Sequence, residues 1–197
     1  MSNYQFEIPA APLKAALLCV AHQDVRFYLQ GVAIDKGHIV STDGHRMFYC
    51  EVTNLDDNLP SIIIPKEAIE FLFKNTRSLD LTKYNVLVTH ETKQCNLQIL
   101  GTPHSQTFQL IDARYPDWKR TIPKNEAAVF NKKQICFNWN YMADYQKIAK
   151  IIGVKKELNP VTLTTVQEQP PMAFVDFINI GGENYKARGV LMGLKFD

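Results

Sequence analysis

Between Thr42 and Arg46 the chain reads T-D-G-H-R, setting the carboxylate of Asp43 two residues from the imidazole of His45, with Cys50 a few residues further on. Two chemistries could use such groups. An acid–base pair would need Asp43 to orient or relay a proton with His45. A thiol nucleophile would need Cys50 held as the thiolate. Neither has the rest of its machinery. The sequence contains no glycine-rich phosphate loop, no G-x-S-x-G elbow and no HExxH pair. Side chains two apart around an Asp-Gly hairpin turn also need not converge on one substrate. The four cysteines, Cys19, Cys50, Cys95 and Cys136, are widely spaced, with no CxxC pair and no histidine at zinc spacing. They are expected to be reduced core thiols, with no metal or other cofactor bound. The expectation is therefore a protein that is not an enzyme.

The elements that carry these residues belong to an ordinary folded chain. Of 197 residues, 46% are hydrophobic and 21% charged, which fits a packed core and not a disordered polymer. The longest apolar runs, Ser61 to Pro65 and Ala15 to Ala21, fall far short of the roughly 20 residues that span a bilayer. No membrane partner is expected, and the opening MSNYQFEIP lacks the sections of a secretion signal, so a cytoplasmic protein is expected. Charge is uneven along the chain. Residues 1–60 carry 4 basic and 7 acidic side chains, residues 61–124 carry 9 and 6, and residues 125–197 carry 9 and 7. The last two segments suit nucleic acid weakly, since a solvated face explains the same excess.

Hydrophobic periodicity divides the chain into three units of similar order. The first has a strand at Tyr4 to Ile8, a helix opened by Pro12 with Leu13, Leu17 and Val20 on one face, and strands at Arg26 to Ile34, His38 to Thr42 and Arg46 to Val52. The second has a strand at Ser61 to Ile64 and a helix from Pro65 that buries Ile69, Leu72 and Phe73. Strands at Asn85 to His90, Cys95 to Leu100 and Gln106 to Leu110 follow, then a short helix and linker over Arg114 to Lys124. The third has a strand at Gln134 to Phe137 and a helix capped by Asn138, striped by Met142, Tyr145, Ala149 and Ile152 and stopped by Gly153. Its strands are Val161 to Val166, Met172 to Ile178 and Tyr185 to Lys195. Each unit is a βαβββ module of about 60 to 70 residues. One sheet with one helix cannot bury its own apolar face, so the modules should pair, and an odd number leaves one needing a partner.

Two stretches are specific. Val25 to Val52 contains VRFYLQG and STDGHRMF, and Phe108 to Lys124 reads FQLIDARYPDWKRTIPK. Both resemble the middle domain of the bacterial β sliding clamp, which has a similar R-aromatic-Tyr-Leu-x-Gly strand, a TDGHR turn and a region of the form [DE]-[GA]-R-[FY]-P-D followed by R-x-[ILV]-P. ICFNWNYMADYQKIAKII and VLMGLKF resemble the last helix-containing module and the closing tail of that clamp, with Gly193 and Lys195 in place of the family's proline and arginine. The resemblance implies an α+β DNA clamp fold of three βαβββ modules, one and a half clamp domains, with helices lining a ring and sheets outside. Residues 1–124 would be a complete clamp domain (modules 1–60 and 61–124), and residues 125–197 the second half of the last domain.

A family ring has twelve modules from two subunits, so three modules per chain imply a homotetramer. The implied function is that of a processivity factor in DNA replication that encircles double-stranded DNA. It would bind a DNA polymerase, and a clamp loader, through short peptides. The shortened length suggests a phage or mobile element. Lysines and arginines opposite the apolar stripes are candidates for phosphate contact: Lys14, Lys66, Lys74, Arg77, Lys147 and Lys150. Arg26, Phe27 and Tyr28 match a region that reaches template DNA in the family. The family's peptide cleft is matched by Leu29, Thr42, Gly44, His45, Arg46, Met47, Pro123, Met192 and Leu194. The rival expectation is a clamp-derived protein that sequesters clamp-binding peptides without enclosing DNA.

Overall fold

Strand β1 (Asn3–Pro9) runs directly into helix α1 (Ala10–Ala16), because Pro9 holds an extended backbone at the helix start and Pro12 sits in the first turn, where its missing N–H leaves no bond unmade. The computed structural model describes residues 3–91, 94–122, 136–154, 161–166, 171–177, 180 and 184–194. It is mixed α+β. After α1 come β2 (Gly31–Asp35), β3 (His38–Thr42), β4 (Arg46–Val52), β5 (Ile62–Pro65), α2 (Lys66–Leu72), β6 (Asn85–Glu91), β7 (Gln94–Ile99) and β8 (Ser105–Gln109). They are followed by α3 (Trp139–Ile151), β9 (Val161–Val166), β10 (Met172–Phe177) and β11 (Tyr185–Met192). The side chain of Asn138 accepts the Asn140 N–H at 2.9 Å to cap α3, and Gly153, at φ +75°, provides the left-handed residue that ends it. Among the described residues no helix is long and apolar enough to cross a membrane.

The strands form two antiparallel sheets, one ordered β1-β6-β7-β8 and the other β5-β2-β3-β4-β11-β10-β9. The first two units exchange their first strands. β1 lies along β6, from Asn3 opposite Glu91 to Pro9 opposite Asn85, while β5 lies along β2. The third unit joins edge to edge, with β11 against β4 from Tyr185 opposite Val52 to Leu191 opposite Arg46.

In the seven-stranded sheet, strands β2, β3 and β4 are covered on both faces. Val32, Ile34, Ile39, Phe48 and Cys50 pack toward the helices, and their neighbours Ala33, Val40 and Met47 pack toward Tyr115 and Trp118 on the other side. Burial of both faces explains why these strands read as nearly continuous apolar runs. Trp118 is fixed there by its indole N–H, which donates to the Asp35 carboxylate at 2.9 Å, and by the rings of His38 and Tyr49.

Several strands shift by one residue at one or both ends, among them Ile62–Pro65, Gln94–Ile99 and Ser105–Gln109, and three expectations differ more. The strand expected from Arg26 begins only at Gly31, because residues 27–29 form a 3-10 turn in which the Leu29 N–H donates to the Arg26 carbonyl at 2.8 Å. Asp24 enforces it: its carboxylate takes the Arg26 N–H at 2.8 Å, and its carbonyl takes the Gln30 side-chain amide at 2.8 Å. The last strand closes at Met192, and Lys195 lies outside the described residues. Of the strand expected at Gln134 to Phe137, only residues 136 and 137 are described, with Cys136 bridging Leu194.

The joint between β4 and β11 depends on Gly189. A Cβ at that position would meet the buried Tyr145 ring, with Cζ at 2.9 Å. The Tyr145 hydroxyl lies 2.8 Å from the Val190 carbonyl and 3.0 Å from the Met47 carbonyl, so it bridges the two strands. Gly189→Ala is expected to cost about 1–3 kcal/mol through overpacking, read as a lower urea midpoint with an unchanged slope. An unshifted midpoint would show that the ring yields freely.

Candidate functional site

The T-D-G-H-R turn shows first why no acid–base pair forms. The Asp43 carboxylate accepts the backbone N–H of His45 at 2.9 Å and of Arg46 at 3.0 Å, and its second oxygen takes the Arg46 guanidinium at 3.0 Å. Thr42 closes the turn by donating to the Arg46 carbonyl and accepting the Gly44 N–H. Gly44, at φ +90°, supplies the conformation that a side chain would resist. The imidazole of His45 stacks on the Tyr141 ring, with centroids 6.4 Å apart. Burial pushes the Cys50 thiol well above the ordinary thiol range, and pushes those of Cys19 and Cys95 up to about 12. These are core thiols and not nucleophiles.

That turn forms one wall of an apolar cleft of about 420 Å³. Of the residues expected there, Leu29, Thr42, Gly44, His45, Arg46, Met47 and Met192 line it. Leu194 does not, and its backbone N–H bonds the Cys136 carbonyl at 2.7 Å; Pro123 lies outside the described residues. Arg26 and Tyr28, expected at DNA, line the cleft as well. The Arg26 guanidinium is committed to Asp24 at 2.6 Å and holds that carboxyl down to about 2. Phe27 is exposed and meets the Tyr28 ring edge-on. Opposite the turn stand Pro116, Trp118, Thr121, Met172 and Val190, which sequence reasoning did not single out. A signal for Trp118 was present: a tryptophan straight after the A-R-Y-P-D run sits at the end of a motif.

Arg46 is at the floor, 8% exposed, between two carboxylates: Asp43 on its own turn and Asp144 on α3 at 2.5 Å. Its guanidinium also lies 4.4 Å from the centre of the Tyr141 ring. Burial works to raise the Asp144 carboxyl, but hydrogen bonds from Lys147 and Arg46 overcome it and hold it below the ordinary carboxylate range. Arg46 therefore fastens α3 to β4. Met47, Met172 and Met192 give the cleft a wall of flexible thioethers that can adapt to an apolar ligand.

A second site lies by the helices. Lys14 from α1, Arg77 beyond the end of α2 and Lys150 from α3 converge on a pocket of about 340 Å³, joined by Thr76, Asp80 and Thr82. Among the described residues none of these three cations is in an ion pair. Burial first, and the charge of Arg77 second, push the Lys14 ammonium below the ordinary lysine range. Like charges crowded in this way are relieved by an anion. The other candidates are placed differently. Lys147 is bound to Asp144 at 2.7 Å, Lys66 reaches His22 at 3.0 Å and Glu70 at 3.4 Å, and Lys74 lies with Phe71 and Ser105 near the free edge of β8.

The family model of the DNA polymerase III beta subunit, central domain, matches residues 11–117. The beta sliding clamp of Proteus mirabilis is 33% identical over 134 residues, covering 63% of this chain and 35% of that protein. The beta sliding clamp of Haemophilus influenzae is 25% identical over 197 residues, covering 92% of this chain and 52% of that protein. Among solved structures, the DNA polymerase III beta subunit of Thermotoga maritima superposes with a TM-score of 0.58 at 14% identity, covering all of this chain and 67% of that one. The chain thus spans between about a third and a half of the length of these curated relatives. The matched central region contains the T-D-G-H-R turn and the Asp24 to Leu29 turn, and the chain belongs to the family of the DNA polymerase III beta subunit, the beta sliding clamps.

Proposed function

We propose that this chain is a non-enzymatic sliding clamp, in which four copies close a ring around duplex DNA and the apolar cleft receives short peptides from a polymerase. The observation that carries it is the meeting of Lys14, Arg77 and Lys150, one from each of the three units, in one pocket whose carboxylate, Asp80, is engaged by Lys83 and Thr82 and not by these three cations. Cations held loosely along a hole attract phosphates without reading sequence and leave the duplex able to slide. The cleft supports the second half of the reading. Met47, Met172 and Met192 provide an adaptable apolar surface, and Arg26, His45 and Thr121 place polar side chains in its lining. In this reading residues 1–124 are one whole clamp domain and residues 125–197 half of another, so four chains restore the twelve modules of a ring.

The partial coverage of the relatives favours one rival: a protein that captures clamp-binding peptides in the same cleft and never encloses DNA. Topology separates the two. A ring is expected to show a native mass of four chains, to stay on a nicked circular duplex, and to be lost when the circle is linearised. A monomer that binds peptides and ignores circularity would reject the clamp and leave the rival.

A further inference from the structure

Strand β8 is one of the two edges of the four-stranded sheet, β1 being the other; among the described residues no strand pairs with its outer side, and nothing on it is built to repel one. It reads Ser105-Gln106-Thr107-Phe108-Gln109, with no proline and no charge, the two devices that commonly blunt such an edge. Its outward groups follow from the ladder. The Ile99 N–H donates to the His104 carbonyl at 2.9 Å, so His104, Gln106 and Phe108 turn their backbone groups toward β7. Ser105, Thr107 and Gln109 present theirs outward, and among the described residues the Thr107 carbonyl is met only by the neighbouring Gln106 side chain at 3.0 Å.

The chain already shows how its units join. β4 and β11, the last strands of the first and third units, lie antiparallel against each other. β8 is the last strand of the second unit. Within one chain both other last strands are occupied, so a like-with-like partner for β8 exists only as the β8 of another copy.

Helix α2 beside it is complementary to itself. Glu67, Glu70, Phe71 and Lys74 are exposed at helical spacings of three and four, on one stripe, and Phe71 is 59% exposed although large and apolar. Phe71 and Lys74 line one hollow with Ser105. In an antiparallel pair of such stripes, Phe71 meets its counterpart at the centre and Glu67 of each copy faces Lys74 of the other.

We propose that two copies of this chain join across a two-fold axis at Thr107, with β8 pairing antiparallel to β8 and α2 lying beside α2. This deepens the ring reading and rests on it for the wider assembly: the ring then closes through alternating two-fold contacts, and its two faces are equivalent. The pairing sets Thr107 opposite Thr107 and Ser105 opposite Gln109, so every outward N–H and C=O of the edge finds a partner.

Thr107→Cys tests it, in the full chain with Cys136→Ser to remove the one described cysteine that is not buried. Cα atoms of directly opposed residues stand about 5.5 Å apart, within disulfide reach. Mild oxidation is expected to convert most of the chain to a covalent dimer that reductant reverses. Phe71→Asp in the same background is expected to abolish that dimer, with an unchanged circular dichroism spectrum showing that the fold persists. If the parent chain closes on nicked circles but Thr107→Cys gives no covalent dimer, the two-fold contact is wrong and the ring reading stands. A covalent dimer from a chain never retained on circles supports the contact and removes the ring. A monomer at all concentrations, with no covalent dimer, overturns the proposal.

Discussion

Arg46→Ala is expected to lower the free energy of unfolding by about 2–3 kcal/mol. The replacement leaves two carboxylates, Asp43 and Asp144, facing each other's field without the guanidinium between them. Breaking a fully buried pair typically costs about 3–5 kcal/mol. The side chains of Asp43 and Asp144 are 15% and 19% exposed, so water recovers part of that. The loss should be read as a lower urea midpoint.

The same variant has a pH signature. Asp144 titrates below its ordinary range in the folded chain, because hydrogen bonds from Lys147 and Arg46 outweigh its burial. A depressed carboxyl stabilises the fold at pH values above its unfolded pKa of about 3.9, and that contribution disappears as pH falls through the folded value. Without Arg46, burial is opposed by Lys147 alone, so the acid limb of unfolding should move to higher pH. Arg46→Ala with an unmoved acid limb and midpoint would show that Arg46 only decorates the cleft, and that α3 is held to β4 by the Tyr145 hydroxyl and apolar packing.

Arg46 also illustrates what was legible in the sequence and what was not. The strands around it, His38 to Thr42 and Arg46 to Val52, occur with the bounds that alternation and the D-G turn predict, since both signals are local. Asn138 and Gly153 bound α3 for the same reason. Its partner Asp144, distant in sequence, was invisible, because periodicity reports which face a residue shares and not which element lies against that face. The exchange of β1 and β5, and the pairing of β4 with β11, were hidden in the same way.

On α3 the predicted stripe included the half-buried Met142 and omitted the fully buried Ile148, because the helix packs through a wider face than a single row. The cleft was largely legible, through motifs and not through physics. The T-D-G-H-R turn and the region around A-R-Y-P-D are specific strings, while Met172 and Val190 carry no local sign that they border a hollow. The lysines show the limit most clearly. Lys147 and Lys150 look equivalent in sequence, yet one is bound to Asp144 and the other opens on the pocket of Lys14 and Arg77.

That difference yields the second large effect. Lys14→Ala, Arg77→Ala and Lys150→Ala combined are expected to make the slope of log affinity against log salt shallower for a nicked circular duplex by about 2–3 for each subunit whose pocket meets phosphate, as each phosphate contact contributes about 0.9. Retention at moderate salt should fall steeply while the native mass stays that of the parent, because the three side chains lie in a helix-side pocket and outside both sheet edges. Lys147→Ala serves as the contrast. Its ammonium is already neutralised by Asp144, so its removal should leave the slope nearly unchanged and appear instead as a small loss of stability. An unchanged slope in the triple variant, or an equal change in Lys147→Ala, would mean that the pocket does not face the duplex. The number of phosphates lost then measures directly how many of the three units turn their cations toward the DNA. In a ring of equivalent copies that count applies to every subunit, so even a weak contact at each pocket is multiplied around the duplex without fixing any copy to one phosphate.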